Sequence, residues 1–358
     1  MFRTISLGRA LRTCSLVALS SALSAQTVTL EANQDNVLIE DPAGALSNGI
    51  GPALFSGRVR STGLGLIRRS LVAFDLSSIP PGSTINSASL QMVVNLTPNM
   101  LAYDFDLFAV TTAWGEGTSN TSGGIGAPST PGDATWLHSD YPGTLWNTVG
   151  GDYVGTSSAT TTIAGNGTYT WTSAQLAADV QSWVNNPSSN FGWILIGDES
   201  TITTAKRFAS REDPDPLDRP QLTVTYTPCG TSAMTSFRNG GSNPASYTAG
   251  TMVLGSTFQA TVDNALAGQV LSRIFAFDTS FSLTLSGGQE LLCIDFGSGE
   301  LLTGGGAAPS SSGGGMDFYT LNIPSDPALC GFVVYSQSIQ FGSPPFTLSN
   351  AQDITLGN

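Results

Sequence analysis

Aromatic and acidic side chains gather in a stretch of the chain that is otherwise rich in glycine, serine and threonine. Sugar binding needs flat aromatic faces against the C–H-rich faces of a sugar ring, with carboxylates that accept hydrogen bonds from its hydroxyl groups. Taken one by one, each aromatic residue could equally anchor the core or a loop. As a group they predict a carbohydrate-binding surface, and its residues are Trp114, Glu116, Asp133, Trp136, His138, Tyr141 and Trp146.

Two of these side chains also raise the question of catalysis. A pair of carboxylates such as Glu116 and Asp133 hydrolyses glycosidic bonds when the two groups lie at the required separation. The chain has a single histidine, His138, and it lacks a Gly-x-Ser-x-Gly elbow, a His-Glu-x-x-His helix and a phosphate-binding loop. We therefore expect a protein that does not catalyse, with a glycan hydrolase or lyase as the minor alternative.

Arg211 is a further candidate for ligand binding. A guanidinium group pairs with a carboxylate through two parallel hydrogen bonds, which would suit an acidic polysaccharide. Glu212 follows Arg211 directly, and Arg69 and Asp75 are a similar set of charges earlier in the chain. Because neighbouring charges commonly satisfy one another, both a structural role and a ligand-binding role stay open.

Calcium is the ion that the sequence leaves open. It takes several oxygen ligands from a rigid loop. The acidic residues do not have the spacing of an EF-hand, so the default expectation is that they are solvated and that the protein has no cofactor. The candidates for calcium ligands are Asp35, Glu40 and Asp41 near the N-terminus, and Asp133 with Asp152 in the glycine-rich stretch.

The cysteines predict one disulfide bridge. Cys14 lies within a targeting peptide, which leaves Cys229, Cys293 and Cys330 in the last third of the chain. Three pairings are open, and we predict Cys293 with Cys330 because each borders or lies in a strand-like run. A zinc site would need a ligand spacing that three scattered cysteines without a nearby histidine do not have.

The N-terminus has the features of a secretory signal peptide. Arg3, Arg9 and Arg12 precede a short apolar run, and small residues then lead to Ala25, where cleavage is predicted. No later segment is long and apolar enough to span a bilayer, which takes about 20 residues. We therefore expect a secreted protein, extracellular or at the cell surface, without a transmembrane segment.

Net charge argues against one class of partner. The whole chain has a formal net charge of −13, and loss of residues 1–25 removes three arginines and no acidic residue, which makes it −16. Nucleic acid repels such a surface, so we expect no nucleic-acid partner. Charged residues are only 11% of the chain, and its content of glycine, serine and threonine is typical of β-rich extracellular proteins.

The segments that must position these residues alternate apolar and polar side chains, as strands with one buried face do. Turn signals such as Ile79-Pro80-Pro81-Gly82 separate them, which favours β-sandwiches over a βαβ architecture. We predict an all-β protein of two sandwich domains, residues 26–228 and residues 229–358. The predicted strands are residues 26–32, 36–40, 70–75, 87–94, 104–110, 192–196 and 221–226 in the first domain, and 254–262, 271–277, 290–296 and 332–341 in the second.

One helix and one long loop complete the first domain. Ser173 is the predicted N-cap of the helix, and Asn185-Asn186-Pro187 ends it. Between them Leu176, Val180 and Val184 recur at helical spacing, so this face should cover one end of the sandwich. The loop of residues 115–152 should dock on the sandwich, because burying one aromatic side chain contributes about 1.5–3 kcal/mol.

A series of short motifs in residues 26–228 resembles the secreted DNRLRE family, which is also grouped with carbohydrate-binding module family 96. Val37 and Ile39 stand where the name motif of the family has arginines. The motifs, in order, are Asp35-Asn36-Val37-Leu38-Ile39-Glu40; Arg69 through Asp75 followed by Leu76-Ser77-Ser78-Ile79-Pro80-Pro81-Gly82; Trp114-Gly115-Glu116-Gly117; Asp179-Val180-Gln181-Ser182-Trp183; Asn190-Phe191-Gly192-Trp193; and Phe208-Ala209-Ser210-Arg211-Glu212 before Arg219-Pro220-Gln221-Leu222.

The resemblance implies a jelly-roll-like sandwich that is attached to secreted enzymes or surface proteins, with glycan binding in some members. The last third of the chain resembles C-terminal β modules of unknown role in secreted bacterial proteins. The expectation is therefore a secreted, non-catalytic protein that binds a polysaccharide or cell-surface glycan, with acidic polysaccharide as one class. The alternative is a structural or adhesive cell-surface protein whose domains act as spacers.

Overall fold

A computed structural model of the chain describes residues 24–59, 66–239, 241–293, 300–301, 306–342 and 346–358. Nearly all of the predicted signal peptide and the end of the predicted strand 290–296 lie outside the described residues. Strands hold 47% of the residues and helices 6%, which confirms the predicted all-β class with one α-helix.

The first fourteen strands form the N-terminal sandwich, and together they span residues 26–227. They are β1 Gln26–Ile39, β2 Leu46–Ser47, β3 Ala53–Arg58, β4 Ile67–Phe74, β5 Thr84–Leu96, β6 Tyr103–Ala109, β7 Ala127–Pro128, β8 His138–Asp140, β9 Thr144–Leu145, β10 Ala159–Ile163, β11 Gly167–Thr172, β12 Trp193–Ile196, β13 Lys206–Ala209 and β14 Gln221–Thr227.

Strand β1 belongs to both layers of this sandwich. Its first part, from Gln26 to Glu31, pairs with β14, and its second part, from Ala32 to Ile39, pairs with β4 across a register shift. One layer then continues from β14 to β5, β13 and β3, with β11 on β5, and the other from β4 to β12, β6 and β10. All of these pairings are antiparallel, as expected for hairpin-rich sandwiches.

The core lies between the two layers, and the alternation along β5 shows why. Ala88, Leu90, Met92 and Val94 are buried, whereas the residues between them are partly exposed. They pack in one cluster with residues of the opposite layer such as Phe105. Because side chains alternate between the two faces of a strand, this pattern fixes which face of β5 points inward.

The helix α1, Ala174–Asn185, starts and ends where the sequence predicts. The hydroxyl of Ser173 accepts a hydrogen bond of 2.9 Å from the backbone N–H of Leu176, which satisfies a donor of the first turn. The ring of Trp183 lies 4.5 Å from that of Trp193, so the helix packs against the core. No helix in the described part of the chain is both long and apolar enough to cross a bilayer.

The remaining strands form the C-terminal sandwich, with the four-stranded sheets β15-β24-β23-β18 and β16-β17-β22-β21. A second core cluster that includes Tyr247, Phe258 and Ile354 joins them. The strands are β15 Met234–Arg238, β16 Tyr247–Ala249, β17 Thr257–Asp263, β18 Gln269–Phe277, β19 Leu283–Thr284, β20 Glu290–Leu291, β21 Ser311–Gly313, β22 Met316–Asn322, β23 Val333–Gly342 and β24 Phe346–Thr355.

The disulfide joins Cys229 to Cys330, with 5.7 Å between their Cα atoms, so the predicted pairing of Cys293 with Cys330 is wrong. Cys293 is buried and free, and its thiol lies 3.8 Å from the carbonyl oxygen of Phe275. The prediction placed the bridged cysteines in or next to strands, but neither of them lies in a strand. Both are in loops that meet, and such contacts are set by the tertiary fold.

Candidate functional site

The loop of residues 115–152 is docked, and two of the predicted sugar-binding aromatics hold it in place. Trp114 and Trp146 are only 8% and 6% exposed. The indole N–H of Trp114 donates to the carbonyl of Phe191 at 2.8 Å, and that of Trp146 donates to the carbonyl of Thr135 at 2.9 Å. Both pack in a buried cluster with strand residues such as Leu71 and Ile194, so they anchor the loop and offer little surface for stacking.

Asp133 is buried and accepts hydrogen bonds from other residues of the same loop. Its Oδ1 atom accepts from the hydroxyl of Ser119 at 3.0 Å, and its Oδ2 atom accepts from the backbone N–H of Thr130. Gly117 has a φ of +67°, and a Cβ atom there would lie 1.9 Å from the Asp133 carboxylate. Both oxygens of the Asp133 carboxylate therefore accept hydrogen bonds from the loop that contains it.

Glu116 is instead bound to Arg211. The guanidinium donates from Nε to Oε1 at 2.6 Å and from Nη2 to Oε2 at 3.0 Å, and its Nε atom also lies 2.9 Å from a carboxylate oxygen of Glu212. The hydrogen bonds to Glu116 raise the pKa of Arg211. The predicted ligand-binding arginine therefore forms ion pairs with two carboxylates of the protein.

Asp35 adds a third carboxyl group to this cluster. It is fully buried, and its Oδ2 atom accepts from the backbone N–H of Arg211 at 2.7 Å. Its Oδ1 atom and the Oε2 atom of Glu212 have no hydrogen-bond partner among the described residues. Burial raises the pKa of Asp35 well above its usual value, and the charge of Glu212 raises it further.

The predicted calcium ligands do not converge. The carboxylate of Asp152 accepts from the backbone N–H groups of Asn147 and Thr148 at 2.9 and 2.8 Å. Glu40 accepts from the N–H groups of Leu66 and Ile67. Within the described ranges, no three Asp, Glu, His or Cys side chains form a group that could hold a metal ion.

The other predicted aromatic residues are partly exposed and carry partners of their own. The guanidinium of Arg69 lies 4.9 Å from the ring centroid of Trp136, and Glu199 holds that guanidinium through two hydrogen bonds of 2.7 and 3.0 Å. His138 and Tyr141 meet edge to face at 5.1 Å. Trp136, His138 and Tyr141 thus contact other residues of the protein.

A groove of about 660 Å³ lies elsewhere, on the outer side of β3 and β13. Phe55 and Arg207 are register partners on these strands and line the groove, whereas the next pair, Leu54 and Phe208, is fully buried in the core. Phe55 is 8% exposed and also packs against the core cluster. Cross-strand partners share a face and successive residues alternate, which explains this arrangement. The lining residues are Phe55, Arg58, Val59, Arg68, Leu96, Thr97, Pro98, Gly124, Ile125, Thr203, Ala205 and Arg207.

Positive charge distinguishes this groove from the rest of an acidic chain. Arg58 donates to the backbone carbonyl of Glu199 at 3.0 Å, and Arg207 donates from Nε to the side-chain oxygen of Asn95 at 2.7 Å. Neither arginine forms a salt bridge with a described residue. Burial lowers the pKa of Arg68 to about 10, so it too is charged at neutral pH.

Apolar side chains form the rest of the groove. Leu96 is 52% exposed and Ile125 is 78% exposed. They flank the buried ring of Phe55, which packs 3.1 Å from the position that a Cβ atom of Gly124 would take. Charged forks between apolar walls are the combination that binds the carboxyl group and the C–H faces of an acidic sugar.

The sequence interpretation overlooked this groove. The strand that carries Arg207 also carries Lys206 and Phe208, so the charge looks like one member of an ordinary strand edge. Arg58 and Arg68 lie on two further strands, and only the pairing register brings them together. The sequence did indicate that Arg207 faces away from the core, because it precedes the inward-facing Phe208 on the same strand. It did not indicate which residues of other strands lie beside Arg207.

No family model matches the chain, and no curated protein matches it significantly. The likeness of residues 26–228 to the DNRLRE family therefore rests on the short motifs alone and stays a prediction. Any statement of function has to be argued from the geometry of the loop and the groove.

Proposed function

We propose that the chain is a secreted, non-catalytic carbohydrate-binding protein whose groove on the N-terminal sandwich binds a carboxyl-bearing polysaccharide. The observation that carries the proposal is the convergence of Arg58, Arg68 and Arg207 in one groove, with no Asp or Glu among its described lining residues. An acidic protein that concentrates arginines in one place has a site suited to anions. The resemblance to a family in which some members bind glycans points the same way.

The chemistry of the groove fits uronic acid residues. A guanidinium fork makes two hydrogen bonds to a carboxylate, and each such charge-assisted bond is stronger than a neutral one. Arg58 and Arg207 are each oriented by one neutral oxygen. The Nε atom of Arg58 is buried, so we expect Arg58 to meet a ligand through its terminal N–H groups. Leu96 and Ile125 offer apolar surface to the sugar ring. An open groove, unlike a closed pocket, accepts an internal segment of a polymer.

The same lining supports binding without turnover. General acid–base catalysis needs a group such as Glu, Asp or His within hydrogen-bond reach of the reacting atom. The described lining contains none of these residues. Secretion is supported by the Cys229–Cys330 bridge, since structural disulfides persist in oxidising compartments.

Affinity gel electrophoresis of residues 26–358 tests the proposal. We expect retardation in gels with polygalacturonate and none with its fully methyl-esterified form, which keeps the polymer but removes its charge. The formal net charge of −16 excludes general attraction to a polyanion as the cause. Equal retardation by both polymers would contradict the carboxylate proposal, and no retardation by any polymer would favour a structural or adhesive protein.

A matched pair of variants locates the site. The double variant Arg58→Gln with Arg207→Gln should weaken polygalacturonate binding at least tenfold, because hydrogen bonds to charged groups contribute about 1.5–3 kcal/mol each. Arg219→Gln is the control, since Arg219 lies outside the groove lining and contacts Glu31 at 3.7 Å. Its mobility shift should match that of the unchanged protein.

A further inference from the structure

We propose that the C-terminal sandwich contains a second, separate binding site, which takes an uncharged and predominantly hydrocarbon small molecule. The site is a cavity of about 440 Å³ between its two sheets. Tyr247, Phe258 and Tyr319 line it from one sheet, and Ile274 and Val334 line it from the other. It lies among strands that take no part in the arginine groove, so it goes beyond the function proposed above.

The size of the cavity sets it apart from a packing defect. Protein interiors are packed as densely as organic crystals, and voids much larger than a water molecule are rare. Ligand pockets typically measure about 300–1,000 Å³, and an apolar cavity of about 150 Å³ already holds benzene. A space of about 440 Å³ therefore has room for a small molecule.

The chemistry of the lining selects an uncharged ligand. The described lining contains no Asp, Glu, Lys, Arg or His. Its two phenol groups already have partners, since Tyr247 bonds the hydroxyl of Ser336 at 3.0 Å and Tyr319 bonds that of Ser272 at 2.7 Å. An ionised headgroup buried here would have no counter-charge, which is strongly unfavourable. A hydrocarbon chain or ring meets no such cost.

Small side chains keep the space open. Ala276 on β18 is 4% exposed, and both it and Ala307 line the cavity. Ala307 is held in place by two backbone hydrogen bonds to Ile274, of 2.7 and 3.2 Å. A larger side chain at either alanine would extend into the cavity from a fixed backbone position. These two positions therefore control its volume.

Fluorescence of N-phenyl-1-naphthylamine, an uncharged apolar dye, tests the proposal on residues 26–358. We expect a saturable rise in emission that is reversed by 1-decanol and is unchanged by polygalacturonate. Ala276→Leu should weaken dye binding at least tenfold with no loss of thermal stability. Should Ala276→Leu fail to fold, Ala307→Leu gives the same test from a partly exposed position.

Two controls separate this site from the surface and from the groove. Val270→Leu also introduces a leucine on the same strand, but Val270 is 72% exposed and lies outside the cavity, so dye binding should not change. Arg207→Gln should leave dye binding intact even where it abolishes polysaccharide binding. The proposal is overturned if the unchanged protein shows no saturable emission, or if the folded Ala276→Leu and Ala307→Leu variants bind the dye as tightly as it does.

Discussion

The ammonium nitrogen of Lys206 lies 2.6 Å from the hydroxyl oxygen of Thr97 and 2.8 Å from the carbonyl oxygen of Ala164. Lys206 is fully buried, burial lowers its pKa, and no described carboxylate forms a salt bridge with it. The ammonium group of Lys206 thus donates hydrogen bonds to neutral oxygens of two loops, one containing Thr97 and the other Ala164. Because Thr97 also lines the arginine groove, Lys206 positions one of its walls.

Replacing this lysine should affect stability and binding together. Lys206→Met removes the donor to the carbonyl of Ala164, whereas the carbonyl of Asn99 keeps the hydroxyl of Thr97 as its donor. An unsatisfied buried acceptor costs about 1–3 kcal/mol. We expect a lower free energy of unfolding in urea and weaker retardation by polygalacturonate. Arg219→Met, which removes a partly exposed cation, serves as the control. An unchanged free energy of unfolding for Lys206→Met would refute the anchoring role.

The cluster around Asp35 predicts a particular pH dependence. Burial raises the pKa of Asp35 in the folded protein, so the folded state binds a proton more tightly than the unfolded chain does. The free energy of unfolding therefore falls as the pH rises from the pKa of Asp35 in the unfolded chain, about 3.9, through its pKa in the folded protein. Below that range the contribution of Asp35 to stability is fully present. Asp35→Asn should flatten the decline of the melting temperature over this range.

Asp75 is a control, because its pKa is shifted in the opposite direction from that of Asp35. The backbone N–H of Ser77 bonds its carboxylate at 2.9 Å and lowers the pKa of Asp75. Its contribution is present above the unfolded pKa and is lost as the pH falls through the folded one. Asp75→Asn should therefore leave the decline toward neutral pH as it is. Identical melting profiles for Asp35→Asn and the unchanged protein would count against the raised pKa.

The disulfide makes a prediction about covalent structure and stability. Peptide mapping without reduction should recover Cys229 linked to Cys330, and a Cys293–Cys330 peptide would contradict the fold. The bridge closes a loop of 101 residues. Changing both bridged cysteines to serine should lower the free energy of unfolding by about 2–5 kcal/mol. Cys293→Ala is the matched control, and a loss of comparable size there would mean that the bridge is not what stabilises the sandwich.

The docked loop depends on one glycine. Gly117→Ala places a Cβ atom 1.9 Å from the Asp133 carboxylate and adds a side chain at a φ of +67°. We expect a loss of about 1–3 kcal/mol in the free energy of unfolding, together with faster proteolysis between residues 115 and 152. Gly155→Ala is the control, because nothing lies within 4 Å of its Cβ position. Equal stability of the two variants would show that the loop tolerates rearrangement.

Part of the secondary structure could be predicted from short-range patterns in the sequence. Helix α1 and its Ser173 cap follow from residues only a few positions apart, and so does the inward face of β5. Hydrophobic periodicity and capping act over short distances along the chain, so one sequence suffices to infer them.

Contacts between segments that are distant in the sequence could not be predicted in this way. The partners of Arg207, Cys330 and Asp35 lie far away in sequence, at Phe55, Cys229 and Glu212. A shift of one residue in strand register would turn Arg207 inward, and nothing local sets that register. Whether the face of a tryptophan is open or covered depends in the same way on the sheet beneath it.

Strand β1 has a mechanical consequence. Gln26 at its start pairs with Tyr226 near the end of β14, and the two strands run antiparallel from there. A force that pulls residues 26 and 227 apart would load their hydrogen bonds one rung after another, as a zip opens, and would not shear all of them at once. The N-terminal sandwich should thus open from this corner at low force.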